Sequence, residues 1–134
     1  MLRILIVEDE PVNQEFLLLA LRAHGDCRAV SLGEDAVRLH SEAMDEARPF
    51  DVIFLDIVLP GISGLQTLEK LRAQEDAFEV PAERRARVII TTALDDDRAA
   101  SRAFIQGNAV SYMTKPFRTG QITEELRKLG LLEG

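Results

Sequence analysis

Cysteine, positive charge and long apolar runs are all scarce in this chain of 134 residues. Its single cysteine, Cys27, cannot form an internal disulfide, and a lone thiol fits a reducing compartment. The 16 lysines and arginines are outnumbered by 23 aspartates and glutamates, and the resulting charge of −7 opposes direct binding to nucleic acid or to an acidic membrane. We therefore expect partners that are proteins or small ions.

The beginning of the chain excludes two further possibilities. Its apolar run reaches acidic residues at Glu8, which makes it too short for a signal peptide or a membrane span. The chain also shows no internal repeat and no low-complexity tract. We expect a soluble, cytoplasmic protein with one domain that covers residues 1–134 and no effector domain.

Short apolar runs alternate with segments of helical periodicity along the whole chain. Apolar residues between and after the runs recur at helical spacing, which predicts five helices. An alternation of this kind gives an α/β fold, a parallel sheet with helices on both faces. The runs predict buried strands at 2–7, 27–30, 51–56, 88–92 and 109–113.

Several helix ends carry capping signals. Gly25 follows the first helical segment and predicts a C-terminal cap for that helix. Ser31 and Glu34 have the spacing of a capping box at the start of the second helix. Ser63 predicts the N-cap of the third helix.

The sequence indicates the buried faces of the helices, and the connections between elements, less directly. The first helix carries apolar residues at helical spacing, and this face is predicted to pack on the sheet. Its members are Val12, Phe16, Leu19, Ala20 and Ala23. His40 is expected to be a partly buried, hydrogen-bonded side chain rather than a metal ligand, because no cysteine or second histidine lies at metal spacing. The polar segment 74–87 contains a proline and fits neither period, so a long loop is predicted there.

Polar side chains follow four of the predicted strands. Ligands of parallel sheets bind beyond the carboxyl ends of the strands, near the point where the strand order reverses. The polar residues at those ends are therefore expected to share one site. Glu8 and Asp9 follow the first strand, Asp56 ends the third, Thr91 and Thr92 end the fourth, and Lys115 follows the fifth.

Three converging carboxylates need a counter-charge. Two unit charges 4 Å apart repel by about 4 kcal/mol at an effective dielectric constant of 20. Mg²⁺ offsets such repulsion, since it takes carboxylates, water and phosphate oxygens as ligands. Asp56 would then be placed to attack a phosphoryl group and form an aspartyl phosphate, with the metal and Lys115 stabilising charge on the phosphoryl oxygens.

These motifs resemble those of the receiver domains of two-component response regulators, in particular the single-domain chemotaxis type. The resemblance extends over residues 2–129. It implies a flavodoxin-like, doubly wound sheet in the order 2-1-3-4-5 with five helices on both faces. It rests on the acidic pair Glu8-Asp9, on Asp56 with Pro60 and Gly64, on Thr92-Ala93 and on Lys115-Pro116-Phe117.

By this resemblance, Asp56 accepts a phosphoryl group from a histidine kinase or a phosphotransfer protein in a reaction that depends on Mg²⁺. The implied metal ligands are Asp9, Asp56 and the backbone carbonyl of Val58. Glu8 is implied to hold a water bound to the metal.

The same resemblance assigns roles at the ends of the fourth and fifth strands. Thr92 and Lys115 would each bind a phosphoryl oxygen, although Thr91 leaves the choice of hydroxyl open. Tyr112 falls on the switch aromatic of the family, and the peptide bond before Pro116 is expected to be cis.

The implied function is that of a signalling switch and not of an enzyme, because the domain catalyses only its own phosphorylation and dephosphorylation. Phosphorylation would change the face formed by the fourth helix, the fifth strand and the fifth helix, and so regulate a downstream protein. The active form would be a monomer or a phosphorylation-dependent homodimer.

Two alternatives remain open. One is a receiver-like module that binds proteins without being phosphorylated. The other is a phosphohydrolase of the haloacid dehalogenase type, which also uses an aspartate nucleophile and Mg²⁺. That class needs a second aspartate two residues after the first, as general acid and base, and here the position is Val58.

Overall fold

A single parallel sheet of five strands forms the centre of the molecule. The computed structural model of the chain describes residues 1–93 and 108–132. The strands lie in the order β2-β1-β3-β4-β5, and each neighbouring pair is parallel, which confirms the predicted α/β fold and strand order. They are β1 (Leu2–Val7), β2 (Gly25–Val30), β3 (Val52–Asp56), β4 (Arg87–Thr92) and β5 (Ser111–Thr114).

Helices cover both faces of this sheet. A 3₁₀ turn precedes β4, and the fourth predicted helix lies outside the described residues. Among the helices that the structure describes, none combines the length and the apolar character that crossing a membrane requires. The helices are α1 (Pro11–Leu21), α2 (Gly33–Asp45), α3 (Gly64–Ala77), the 3₁₀ turn Ala82–Arg84 and a C-terminal helix, Thr119–Lys128.

Strand alternation divides the core into two apolar layers. Ile6 and Phe54 point to one face, where they pack with α1 and the C-terminal helix. Val7 and Leu55, the next residues along the same strands, point to the other face and pack with α2 and α3. All four side chains are fully buried, which is why these strands read as continuous apolar runs.

The two predicted caps on either side of β2 are wrong. α1 ends at Leu21, and Gly25 is instead the first residue of β2, where a Cβ atom would lie 2.2 Å from the carbonyl oxygen of Leu2. α2 begins at Gly33 with no side-chain cap. The glycine is therefore needed for close strand pairing, a requirement that local sequence cannot reveal.

The predicted cap of α3 is confirmed in full. The Ser63 hydroxyl accepts a hydrogen bond from the backbone N–H of Gln66 at 3.1 Å. In return, Gln66 Oε1 accepts from the backbone N–H of Ser63 at 2.9 Å, which completes a capping box.

The predicted inner face of α1 is right only in part. Phe16 and Ala20 pack against the apolar layer as expected. Leu17 and Leu21 are buried, whereas Val12 is 74% and Leu19 is 51% exposed. The middle of this helix is apolar on nearly every side, so its spacing did not identify a unique face. The packing partners supplied by the sheet and the C-terminal helix select the face.

Several element boundaries differ from the prediction. The segment 74–87 is not one long loop, because α3 continues to Ala77 and the 3₁₀ turn Ala82–Arg84 follows. β5 begins at Ser111 rather than at residue 109. The residues before Ser111 are already anchored, since the backbone N–H of Val110 donates to the carbonyl of Val88 at 2.9 Å.

Glu75 explains why α3 extends into a polar segment. Its side chain is only 2% exposed, and Arg72 Nη1 donates to its Oε1 at 2.6 Å. The backbone N–H of Ala86 donates to its Oε2 at 2.9 Å, and His40 Nε2 lies 3.4 Å from the same oxygen. His40 Nδ1 lies 2.8 Å from Gln74 Oε1, so the hydrogen-bonded histidine that we predicted joins α2 to α3.

Burial by itself would raise the pKa of Glu75. The hydrogen bonds from His40, Arg72 and the N–H of Ala86 outweigh that effect and hold the pKa of Glu75 below its usual value. The ionised carboxylate therefore stabilises the fold above the unfolded-state pKa, near 4.5. This stabilisation is lost as the pH falls through the lower pKa of the folded state.

We expect Glu75→Gln to lower the free energy of unfolding by about 3 kcal/mol at pH 7, because the substitution leaves the Arg72 charge without its buried partner. The matched control is Glu42→Gln, which removes the exposed pair with Arg38 and should cost about 0.5 kcal/mol or less. Urea unfolding at a series of pH values measures both variants.

The difference in stability between wild type and Glu75→Gln should shrink only in acid, below pH 4.5, where the wild-type carboxylate becomes protonated. A difference that is the same at pH 3 and at pH 7 would contradict the role assigned to the ionised carboxylate, as would a variant no less stable than the Glu42 control.

Candidate functional site

Three carboxylates meet at the carboxyl ends of β1 and β3. Val7 pairs in register with Leu55, so the next residues, Glu8 and Asp56, lie side by side. Glu8 is fully buried, Asp56 is 4% exposed and Asp9 is exposed. One carboxylate oxygen from each lies within 4.8 Å of the others. The sheet therefore brings the predicted acidic residues into one cluster.

Lys115 provides the positive charge of this cluster. It follows β5, and its backbone N–H donates to the carbonyl of Thr92 at 2.7 Å. Lys115 Nζ donates to Asp56 Oδ2 at 2.8 Å and lies 2.7 Å from Glu8 Oε1. The peptide bond between Lys115 and Pro116 is cis. One ammonium group is thus shared by the two buried carboxylates.

These contacts shift the pKa values of Glu8 and Lys115. Burial raises the pKa of Glu8, the charge of Asp56 raises it further, and the hydrogen bond from Lys115 only partly opposes the change. Burial would lower the pKa of Lys115, but the carboxylates of Asp56 and Glu8 outweigh burial and raise it. Three acidic side chains face one ammonium group, so a divalent cation would balance the remaining negative charge of the cluster.

Backbone groups fix the orientation of both buried acids. The N–H of Val58 donates to Asp56 Oδ1 at 3.0 Å, and the N–H of Glu10 donates to Glu8 Oε2 at 3.0 Å. Gln14 Nε2, on α1, donates to the carbonyl of Glu8 at 2.9 Å. Sequence reasoning did not identify Glu10 or Gln14, because their contribution depends on where α1 begins relative to β1.

The two threonines at the end of β4 differ in their contacts. Thr92 is fully buried, and its hydroxyl donates to the carbonyl of Ala93 at 3.0 Å. Thr91 is 1% exposed and lies in register with Asp56. Among residues 1–93 and 108–132, its hydroxyl has no hydrogen-bond partner.

Tyr112 is 42% exposed on β5 and lies in register with Ile90 of β4. The face on which the sequence predicts a switch combines this strand with the C-terminal helix and the fourth predicted helix. That fourth helix lies outside the described residues, so the structure describes only the part of the face that contains Tyr112.

Gly64 allows α3 to begin directly beside Asp56. A Cβ atom at Gly64 would lie 2.1 Å from the carbonyl oxygen of Asp56 and 2.6 Å from the Cα atom of Ile57. The backbone N–H of Gly64 also donates to the carbonyl of Ile57 at 3.0 Å. The glycine of the sequence motif is thus required by a close backbone approach.

The family model of the response regulator receiver domain matches residues 4–127. The chain belongs to the response regulator receiver domain family. As a receiver domain it is a signalling domain of a two-component system and not a conventional enzyme, and domains of this family bind Mg²⁺ in their active site.

Solved receiver domains share the fold of this receiver domain closely. The receiver domain of the sensor histidine kinase PA1611 from Pseudomonas aeruginosa, solved with a magnesium ion coordinated in its active site cleft, is 32% identical. It has a TM-score of 0.75, and 95% of each chain is covered. A CheY-like receiver domain from Methylobacillus flagellatus is 25% identical with a TM-score of 0.73, covering 96% of this chain and 98% of that one.

Curated relatives are longer proteins. The probable transcriptional regulatory protein TcrX of Mycobacterium tuberculosis is 34% identical over 129 residues, which are 94% of this receiver domain and 48% of TcrX. The probable C4-dicarboxylate response regulator DctR of Bacillus subtilis is 29% identical, with 94% of this chain and 51% of DctR covered. The receiver domain thus spans about half the length of these two relatives.

We expect Gly64→Ala to lower the free energy of unfolding by about 1–3 kcal/mol, because the added methyl group must displace the backbone of Asp56. Gly120→Ala in the C-terminal helix is the matched control, since a Cβ atom there meets nothing within 4 Å. This control should be neutral or more stable by up to about 1 kcal/mol. Denaturant unfolding of both variants tests the close approach, and equal stabilities would contradict it.

Proposed function

We propose that this receiver domain is a phosphoacceptor switch in which Asp56 takes a phosphoryl group from a histidine kinase or a phosphotransfer protein. The observation that carries the proposal is the pairing of buried Asp56 with Lys115, beside Glu8 and Asp9. This arrangement combines a nucleophile, a cation for the phosphoryl oxygens and acidic ligands for a metal, all at one sheet edge.

In the transfer step, a carboxylate oxygen of Asp56 forms a bond to phosphorus. The bond between phosphorus and the donor's histidine nitrogen breaks, and that nitrogen keeps the electron pair. Lys115 now lies 2.8 Å from Asp56 and would pair with a phosphoryl oxygen. Thr92 would donate to another phosphoryl oxygen after giving up the carbonyl of Ala93. The protein's own catalysis is limited to gaining and losing this group.

The oxygen donors of the acidic cluster suit Mg²⁺, which takes carboxylates and water. Asp9, Asp56 and the backbone carbonyl of Val58 would hold the ion, and Glu8 would contact it through water. When bound, Mg²⁺ supplies positive charge for the phosphoryl oxygens. The close approach of these three acids, with a single ammonium group among them, supports this part of the proposal.

Phosphorylation adds roughly two negative charges at Asp56. Movement of Thr92 toward those charges would vacate space for Tyr112 and change the face that includes β5 and the C-terminal helix. That face would regulate a downstream protein, through a monomer or a phosphorylation-dependent homodimer. We retain the predictions of a cytoplasmic location and of no direct contact between this domain and nucleic acid or membrane.

The two alternatives are weaker. A haloacid dehalogenase-type hydrolase needs an acid two residues after the nucleophile, and Val58 there is apolar and 58% exposed. A binding module that is never phosphorylated would not need the shared ion pairs of Lys115 with Asp56 and Glu8.

Asp56→Asn should abolish acyl-phosphate labelling by acetyl phosphate and Mg²⁺, because the amide lacks the nucleophilic oxygen charge. Asp26→Asn, an exposed position on β2, is the control and should label like wild type. Labelling is measured by intact-mass spectrometry and by loss of the adduct in hydroxylamine. Undiminished labelling of Asp56→Asn would refute the assignment of the acceptor.

Asp9→Asn should weaken Mg²⁺ binding by about tenfold or more, because it removes one charged ligand of the cluster. A Mg²⁺ titration followed by Tyr112 fluorescence or by melting temperature gives the affinity, again with Asp26→Asn as control. If Mg²⁺ changes neither signal in wild type, the binding-module alternative gains support.

A further inference from the structure

Thr91 carries a buried hydroxyl that has no role in the proposed phosphoacceptor function. The residue is 1% exposed, and its Oγ1 atom has no hydrogen-bond partner among the residues that the structure describes. A buried hydroxyl without a partner costs free energy, so such groups in folded proteins require an explanation. A valine would fill nearly the same space without that cost.

The position of this hydroxyl in the sheet is informative. Thr91 on β4 lies in register with Asp56 on β3, and the backbone N–H of Ile57 donates to the Thr91 carbonyl at 3.0 Å. In-register residues of neighbouring strands point to the same face and lie about 4.8 Å apart. That face is the one on which Phe54 and Ile89 pack, two residues earlier in each strand.

Glu8, Asp56 and Thr91 therefore form one polar row across β1, β3 and β4. Thr92 is the next residue of β4, so its side chain starts from the opposite face, the face of Ile90. Its hydroxyl already donates to Ala93. Of the two threonines, Thr91 is the one placed beside Asp56 with a donor still to be used.

Asp56 has two donors in the structure. The N–H of Val58 donates to Oδ1, and Lys115 Nζ donates to Oδ2 while it also contacts Glu8. If Lys115 turns toward a phosphoryl group, a buried carboxyl oxygen of Asp56 loses its donor. The neighbouring Thr91 hydroxyl can replace that donor without adding charge.

We propose that Thr91 is a positioning residue that donates a hydrogen bond to the Asp56 carboxyl group when a phosphoryl group, or an analogue of one, is bound there. The inference rests on the proposed phosphoacceptor function and deepens it. It differs from the role of Thr92, which would contact the phosphoryl oxygens, because Thr91 acts through the side chain of Asp56.

The test compares Thr91→Val, which removes the hydroxyl at nearly constant volume, with Thr91→Ser, which keeps it. Beryllofluoride with Mg²⁺ serves as the phosphoryl analogue, and its apparent affinity is followed by Tyr112 fluorescence. We expect Thr91→Val to bind about tenfold more weakly, equal to about 1.4 kcal/mol, and Thr91→Ser to bind within about twofold of wild type. Without ligand, Thr91→Val should melt at the wild-type temperature or above it.

Each other outcome overturns the inference. Wild-type affinity in Thr91→Val would show that the hydroxyl does not act on the occupied site. A lower melting temperature of unliganded Thr91→Val would show that the hydroxyl already has a structural partner. Weak binding by Thr91→Ser would show that the hydroxyl does not account for the affinity. If wild type itself bound no beryllofluoride and accepted no phosphoryl group, the proposed function would fail first. Asp56→Asn supplies the baseline for that comparison.

Discussion

The sharing of Lys115 between Glu8 and Asp56 is the interaction on which the site depends. Two buried carboxylates on neighbouring strands repel strongly unless a cation lies between them. The cation comes from the end of β5, two strands away from Asp56 in the sheet, so the site is complete only when β3, β4 and β5 have paired. The acids of the cluster outnumber this one ammonium group, a condition that suits a divalent metal ion.

The parallel register of the strands places the residues of the site in one row. Because in-register residues share a face, β1, β3 and β4 present Glu8, Asp56 and Thr91 as one row above the apolar layer of α1 and the C-terminal helix. α3 begins against the backbone of Asp56 with no room for a side chain at Gly64. Asp56 is therefore held by its own strand, by both neighbouring strands and by the helix that follows.

A second polar network supports the other face of the sheet. Arg72 donates from Nε and Nη2 to the carbonyl of Asn108, at 3.0 and 2.7 Å, and from Nη1 to the carbonyl of Ala86 at 2.9 Å. Glu75 extends this network to α2, because it accepts a hydrogen bond from the N–H of Ala86 and contacts His40 on α2. Since Asn108 leads into β5, which leads to Lys115, this network helps to set the position of the site's only described cation.

Local periodicity and short motifs in the sequence predicted much of the fold and of the candidate site. Apolar runs identified the strands, most clearly β1, β3 and β4, which are buried along most of their length. Polar residues at the strand ends identified Glu8, Asp9, Asp56 and Lys115. Only the tertiary structure decided matters that depend on distant partners: which side of the uniformly apolar α1 is buried, why Gly25 must be a glycine, and how polar Glu75 can be buried in a helix. The same reason separates Thr91 from Thr92, since sequence shows two adjacent hydroxyls and only strand register shows which one lies beside Asp56.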